Sequence, residues 1–523
     1  MKLVTSEEMR RIEGRIAADG LALPVLMELA GRAVAEGVVA LRSFDFAQDR
    51  QAQGGRGGVL VLVGPANNGG DGLVAARHLH NAGVPVEVAC FPLRDDADAN
   101  ARLVQRLGIT CWDGSDLARL ERVLERVDTV LDALFGIGRL RSIEGAMQAA
   151  LGAVARARAA RPELGVIALD LPSGLDADTG RVDPTTAAAE VTLTLGFPKV
   201  GLYAFPGADY AGEVRVLDIG IPTSYAEDVP TDLLTPEVAG RLLPERPRQS
   251  NKGTFGRALV VGGSPSYVGA PVLAAQGAAR AGAGLVTLGV ARSLQPLVAA
   301  QVSECTFLSL PEAEPGVLGS EAVGSLLKAV EGYGALLIGC GLGQDPATAT
   351  FVRAQLERWP EGLPVVIDAD GLNLLSEEPR WAERWSGDGV VTPHPGEMAR
   401  LMRNSVADVQ ADRLGMAREA AARWRKTVVL KGAFTVVAAP SGEARVSPVA
   451  TAALATAGTG DVLAGVIVGL LAQGLGPFEA ASLGVWLHGR AGEMVATEVG
   501  EAGVVAGDLL PLLPRPMREL RQG

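Results

Sequence analysis

Short runs of apolar, largely β-branched residues recur along the chain, each closing on glycine, aspartate or another polar residue, with helically spaced segments between most of them. In the first half these runs are GVLVLVG (Gly58 to Gly64), VPVEVACF (Val84 to Phe91), DTVLDALFG (Asp128 to Gly136), GVIALDLPSG (Gly165 to Gly174) and EVTLTLG (Glu190 to Gly196). Continuous apolar runs suit strands buried on both faces, as in parallel sheets covered by helices. Ahead of them, Met1 to about Leu41 reads as two helices broken at Gly20 to Pro24. Arg42 to Gly58 is polar and Gly-rich without periodicity and reads as a loop. The alternation predicts a doubly wound α/β sheet.

A stretch rich in Pro, Glu and Arg, Thr223 to Asn251, interrupts the pattern and reads as a linker over 223–250, with a short helix from Thr235 to Leu243. The pattern then resumes with a strand (Ala258 to Val261), a Gly-Ser loop, a helix (Ala270 to Ala281) and a second strand. ALLIGCGLG, PVVIDADGLNLL, VVTPHPGEMARLM and TVVLKGAFTVVA (Thr427 to Ala438) follow, each strand ending in Gly, Asp, His or Lys. At 523 residues the chain is too long for one ordinary domain. Two α/β domains are expected, 1–222 and 251–523.

Composition narrows the classes. Hydrophobic residues make up 48% and charged residues 21%, as in globular rather than disordered chains. The net charge of −12 argues against a general nucleic-acid or anionic-membrane binder, so anionic ligands must be held locally by loops and helix ends. Cys90, Cys111, Cys305 and Cys340 lack metal-binding spacing and read as reduced core cysteines. The amphipathic, acid-bearing N-terminus is unlike a signal peptide, and no apolar stretch is long enough to span a bilayer, so a cytoplasmic protein is expected.

The candidate chemistry gathers at strand ends. In LATAGTGDVLAG, Leu454 to Gly465, the Gly458-Thr459-Gly460 loop precedes a helix starting near Asp461, whose free N–H groups and positive dipole end make an anion hole. A carboxylate beside a bound phosphate costs free energy unless it has a chemical role, so Asp461 reads as more than a helix cap. Asn67, Asn68, Gly69, Gly70 and Asp71 follow the first strand, where open α/β sheets bind ligands. Asp132, Asp170 and Ser173 lie at other strand ends of the same half, and with Asn68 they offer oxygens suited to a hard cation. His394, between Pro393 and Pro395, is expected on a stiff extended loop as a ligand contact, whereas His488 reads as structural. Ala270 leaves room for a ligand or for close packing.

NNGGDGLVAARHL, VLDALFGIG, ALDLPSGLDADTG and GFPKVGL resemble the YjeF N-terminal, NAD(P)H-hydrate epimerase family over roughly Met1 to Pro222. The resemblance implies a Rossmann-like domain. Asn67 to Asp71, the segment Gly136, Ile137, Gly138, Arg139, Leu140, Arg141 and Ser142, and Asp170 would hold the hydrated dinucleotide. Asn68, Asp132 and Ser173 would bind potassium, and Asp170 would be the proton-transfer group. Two positions depart from the family pattern: Ala66 for Gly, and Ile137 for the Thr of a G-T-G turn.

SYVGA, GCGLG, IDADGLN, TPHPGE, LKGAFT and AGTGDVLAG resemble, in order, the YjeF C-terminal, ADP- or ATP-dependent NAD(P)H-hydrate dehydratase family, which is ribokinase-like, over roughly Asp228 to Gly523. By that resemblance Lys431, Gly432, Ala433, Phe434, Thr435 and Gly460 line the nucleotide site. Ala270, Gly341, Gly343, His394 and Asp461 face the substrate, with Asp461 as general base and magnesium on the phosphates. Asn251 replaces a His and Cys340 a Pro of the family motifs. The expected architecture is therefore two three-layer α/β/α domains acting in sequence on NADHX or NADPHX with ADP, in a homo-oligomer. The rival reading is a ribokinase-type small-molecule kinase joined to a non-catalytic binding module.

Overall fold

The computed structural model describes every residue except 45–56, 95–96, 139–141, 360–361, 379 and 523. It divides into two compact units, Lys2–Val229 and Pro230–Gly523, with Met1 grouped in the second. Most of the loop expected over Arg42 to Gly58 lies outside the described residues.

Among the described residues, the first unit is built on seven parallel strands, β1 (Gly58–Val63), β2 (Val86–Cys90), β3 (Thr110–Asp113), β4 (Val127–Ala133), β5 (Gly165–Leu169), β6 (Val191–Leu195) and β7 (Glu213–Leu217). Their order is β3-β2-β1-β4-β5-β6-β7. The continuous apolar run of β1 is explained by burial on both faces. Val59, Val61 and Val63 join one core cluster with helices Ser6–Ala18 and Leu23–Phe44, while Leu60 and Leu62 join another on the opposite side with helix Gly145–Ala160. The order reverses direction between β1 and β4, opening a crevice beyond their carboxyl ends, where this class of sheet holds ligands.

The second unit repeats the plan. Its strands are β8 (Thr231–Leu233), β9 (Arg257–Val261), β10 (Leu285–Ala291), β11 (Thr306–Leu310), β12 (Ala335–Ile338), β13 (Val365–Ile367), β14 (Gly389–Val391), β15 (Thr427–Leu430), β16 (Val436–Ala438) and β17 (Ala444–Val446). They form one sheet in the order β11-β10-β9-β12-β13-β14-β15-β16-β17-β8, with its own switch point between β9 and β12. Helices Gly269–Arg280 and Thr459–Ala472 pack on each other and on β9.

One stretch is more divided than its pattern, and one expectation differs from the structure. Within Thr427 to Ala438 the first strand ends at Leu430, next to the Lys expected to close it, and a second follows: β15 and β16 are an antiparallel pair joined by residues 431–435, because Gly432 and Phe434 both take positive φ (130° and 52°) and turn the chain back. Residues 223–250 are not only a linker. Thr223–Ala226 is a turn of 3₁₀ helix in the first unit, Thr231–Leu233 pairs in parallel with β17, and Pro236–Leu242 is a helix capped by Thr235. A strand three residues long carries too little pattern to stand out from a Pro- and Arg-rich background.

Candidate active sites

In the second unit, helix Thr459–Ala472 starts at Gly458, whose φ of 90° is a left-handed conformation that glycine adopts without a Cβ clash. The Thr459 hydroxyl donates to the carbonyls of Leu454 and Thr456, both at 3.0 Å, closing the loop on itself. The first-turn N–H groups of a helix lack intrahelical partners and carry its positive dipole end, which favours anions there. Beneath the loop, Cys340, Asp368 and Asp461 bring a thiol and two carboxylates within 4.8 Å of one another. Lys431 Nζ donates to Asp368 Oδ1 at 2.6 Å and lies 3.9 Å from Glu397 Oε2.

The electrostatics follow from this crowding. Burial, then the neighbouring Asp368, raises the Asp461 carboxyl to about 7. Burial likewise raises Glu397 to about 7. Burial alone would depress Lys431, yet Asp368 and Glu397 outweigh it and hold the ammonium charged. A carboxyl poised near neutrality beside a fixed ammonium and an anion hole suits a general base acting on a hydroxyl at a phosphate.

The loops around this cluster carry the other expected residues. Gly341 lies against Ala270, since a Cβ on it would come within 2.9 Å of the Ala270 Cβ. The Gly343 N–H donates to Asp370 Oδ2 at 2.9 Å. Lys431 N–H donates to the Pro393 carbonyl at 2.9 Å, tying residues 431–435 to the His394 segment. Gly460 faces the Lys431 ammonium, 3.4 Å from where its Cβ would be. Gly432 and Ala433 are exposed, and Thr435 Oγ1 donates back to the Gly432 carbonyl at 2.7 Å. His394 sits in extended backbone ahead of helix Pro395–Met402, as its flanking prolines imply, and it also caps that helix, Nδ1 accepting from Gly396 and Glu397, with the imidazole half exposed.

In the first unit, Asn68, Gly69, Gly70 and Asp71 are buried in the first turns of helix Asn67–Asn81, while Asn67 is exposed. The Asn68 Oδ1 lies 3.0 Å from where a Gly136 Cβ would be, which places the β1 and β4 loops against each other. Asp132 Oδ1 accepts from the Ser173 hydroxyl at 2.7 Å, and Oδ2 accepts from Ser173 N–H at 2.9 Å. Asp170, at φ 67°, is a non-glycine residue held in the left-handed region at the end of β5, a strain that such folds concentrate at functional positions. Its Oδ1 accepts from Leu195 N–H at 3.1 Å and is ion-paired with the buried Lys199. Burial, then Asp170 and Glu13, pushes Asp71 well above the usual carboxylate range, and burial with Asp170 raises Glu13. Ile137 is half-buried, its carbonyl accepting from Arg10 at 2.6 Å, and Gly138 and Ser142 are exposed. Arg139, Leu140 and Arg141 lie outside the described residues.

Residue-by-residue sequence reasoning missed Lys199, Glu13, Asp368 and Glu397. Lys199, Asp368 and Glu397 stood inside motifs that carry the family resemblance, so a signal existed. Glu13 lies on an amphipathic helix far from any strand end and carried none. His488 is buried, its imidazole held neutral by burial with a pKa lowered to about 4, and Nε2 meets the Thr459 carbonyl at 2.9 Å. The four cysteines are free, and Cys111 alone among them is only half-buried. No helix among the described residues is long and apolar enough to cross a membrane.

The fold defines a two-unit α/β protein of doubly wound parallel sheets, with buried acids gathered at the strand ends of each unit. Residues 258–515 match the NAD(P)H-hydrate dehydratase family model, and residues 24–201 match that of the YjeF-related protein N-terminus. The bifunctional NAD(P)H-hydrate repair enzyme of Moorella thermoacetica is 41% identical, covering 100% of this chain and 98% of that protein. The one from Thermofilum pendens is 35% identical, over 100% and 97%. Among solved structures, the ADP/ATP-dependent NAD(P)H-hydrate dehydratase of Bacillus subtilis, co-crystallised with ATP and Mg²⁺, is 33% identical with a TM-score of 0.48, covering 56% of this chain and all of that one. The chain belongs to the bifunctional NAD(P)H-hydrate repair enzyme family.

Proposed function

We propose that the first unit interconverts the R and S epimers of hydrated NADH or NADPH, and that the second dehydrates the S epimer at the expense of ADP. The observation that carries the second half is Asp461, a carboxyl at about 7 at the start of an anion-binding helix. In this reading Asp461 takes the proton of the substrate 6-hydroxyl as that oxygen attacks the terminal phosphorus of ADP, and AMP leaves. The phosphorylated oxygen then departs as phosphate with the C6–O bonding pair, and C5 gives up a proton to that departing phosphate as the 5,6 double bond re-forms. First-turn N–H groups and Lys431 stabilise the charge that develops on the phosphoryl oxygens. Ala270, Gly341, Gly343 and His394 face the dinucleotide, and residues 431–435 line the nucleotide site.

Magnesium suits phosphate oxygens better than the Cys340, Asp368 and Asp461 group, because a thiol is a poor ligand for a hard ion and Lys431 already engages Asp368. When bound it neutralises phosphate charge. In the first unit, Asp132 is a buried carboxylate with a raised pKa, dominated by burial, and Ser173 and Asn68 add neutral polar groups. One carboxylate among neutral donors fits a large monovalent cation such as potassium. Asp170, oriented by Lys199, is the proton-transfer group of the epimerase, with Asn67 to Asp71 and the Gly136 segment along the dinucleotide.

Product analysis tests the dehydratase reading against the kinase reading. S-hydrate, ADP and magnesium should yield free phosphate, AMP and the absorbance of reduced nicotinamide in equal amounts. A product that retains the phosphoryl group would mean kinase chemistry instead.

A further inference from the structure

Apart from the site around Asp461, the second unit holds a cavity of about 620 Å³ between helices Pro236–Leu242, Pro477–Val499 and Pro514–Gln522. That volume is in the range of small-molecule sites, roughly 300–1,000 Å³. Pro448, Trp486 and Leu520 supply apolar wall. The charged lining is Glu237, Glu493 and Glu519 against Arg241 and Arg490, and Arg490 is ion-paired with Glu493. Two carboxylates then face one guanidinium, an acidic excess beside an indole. Tryptophan attracts cations more strongly than other aromatic residues do, and a carboxylate excess repels anions.

The cavity also backs the nucleotide loop. Val449 lines it, and the Val449 carbonyl accepts the Phe434 N–H at 2.9 Å. Trp486 lies on the helix that carries His488, whose ring meets the Thr459 carbonyl. A ligand that shifts either wall therefore pulls on residues 431–435 or on the anion loop.

We propose that this cavity binds a small, flat organic cation of the N-alkylpyridinium class, and that its occupancy is felt at the nucleotide loop. The oxidised nicotinamide ring belongs to that charge class, and the reduced ring does not. The binding claim stands without the catalytic reading, whereas the coupling claim rests on residues 431–435 holding ADP.

The probe is 1-methylnicotinamide, with nicotinamide and nicotinate as neutral and anionic rings of similar size, titrated calorimetrically into the whole chain. The cation should bind roughly ten-fold tighter than the anion, the order expected for reversing one charge near carboxylates. Gly240→Leu should abolish binding, because Gly240 lines the cavity and an added Cβ meets nothing nearer than the Leu520 carbonyl at 3.8 Å. The exposed pair Glu237→Gln with Glu519→Gln leaves Arg241 unopposed and should turn the charge preference from the cation toward the anion, and it keeps the test open if Gly240→Leu does not fold. Saturating cation should change the KM for ADP at least two-fold in the parent chain and not in Gly240→Leu. Failure of the cation to bind, equal binding of the three rings, or binding unaffected by these variants would overturn the site. Specific binding with an unchanged KM would overturn the coupling, and parent turnover measured alongside reports separately on the catalytic reading.

Discussion

In the proposed reaction Asp461 depends on its surroundings, since the same carboxyl in water titrates near 4 and would be too weak a base to compete with solvent. Raised to about 7, it is deprotonated above that pH, so kcat/KM for dehydration should rise as pH passes upward through about 7 and then level. Asp461→Asn should lower turnover by roughly 10²–10⁴ and leave dinucleotide binding largely intact. Turnover within a few-fold of the parent would remove Asp461 from the mechanism. In the first unit, Lys199 is almost wholly buried against Asp170. Lys199→Met leaves that carboxylate buried without its cation, a loss of roughly 3–5 kcal/mol for such pairs. Hydrogen exchange should quicken across the first unit and epimerisation should fail, while dehydration of S-hydrate by the second unit continues. Unchanged exchange would mean that the pair does not hold the site. The glycines and acids at strand ends were legible in the sequence because their chemistry is local. The Lys199–Asp170 pair spans 29 positions and the His488–Thr459 contact also spans 29, and only folding brings such residues together.

Helix Thr459–Ala472 sets the position of the anion loop, and its glycines set the helix. A Cβ on Gly465 would come within 2.0 Å of the Ala274 carbonyl oxygen, and one on Gly277 within 2.6 Å of the Val462 carbonyl oxygen, so the two helices meet backbone to backbone. Gly465→Ala should destabilise the second unit by roughly 1–3 kcal/mol, the cost of overpacking, and raise the KM for ADP by moving Gly458 to Asp461. Thermal unfolding with and without ADP would measure both effects, and an unperturbed melt would show that the crossing has slack. The long apolar strands were legible because they are buried on both faces and leave continuous runs. Thr110–Asp113 and Glu213–Leu217 were not. They are the edge strands of the first sheet, with exposed or half-buried positions among them, and so resemble amphipathic loops.

The chain as a whole divides between Val229 and Pro230, and the first segment after that division belongs to the second sheet. A dehydratase fragment starting near Asp228 should therefore keep activity on S-hydrate. One starting at Asn251 loses the strand Thr231–Leu233 and the helix Pro236–Leu242, and should be less stable. Equal melting of the two fragments would mean that this strand adds nothing. The sequence marked the two units correctly as repeats of one plan, but the composition of 223–250 hid where one ends. The central claim, that one chain carries two complementary activities on the same metabolite, is tested most directly by giving the whole chain an equilibrated R/S hydrate with ADP, magnesium and potassium. Consumption is followed in time against the spontaneous rate of epimerisation. The account expects both epimers to disappear, R faster than its uncatalysed conversion to S, with one AMP and one phosphate released per reduced nicotinamide regained. Persistence of the R epimer beyond its spontaneous decay, or accumulation of a phosphorylated hydrate, would contradict it.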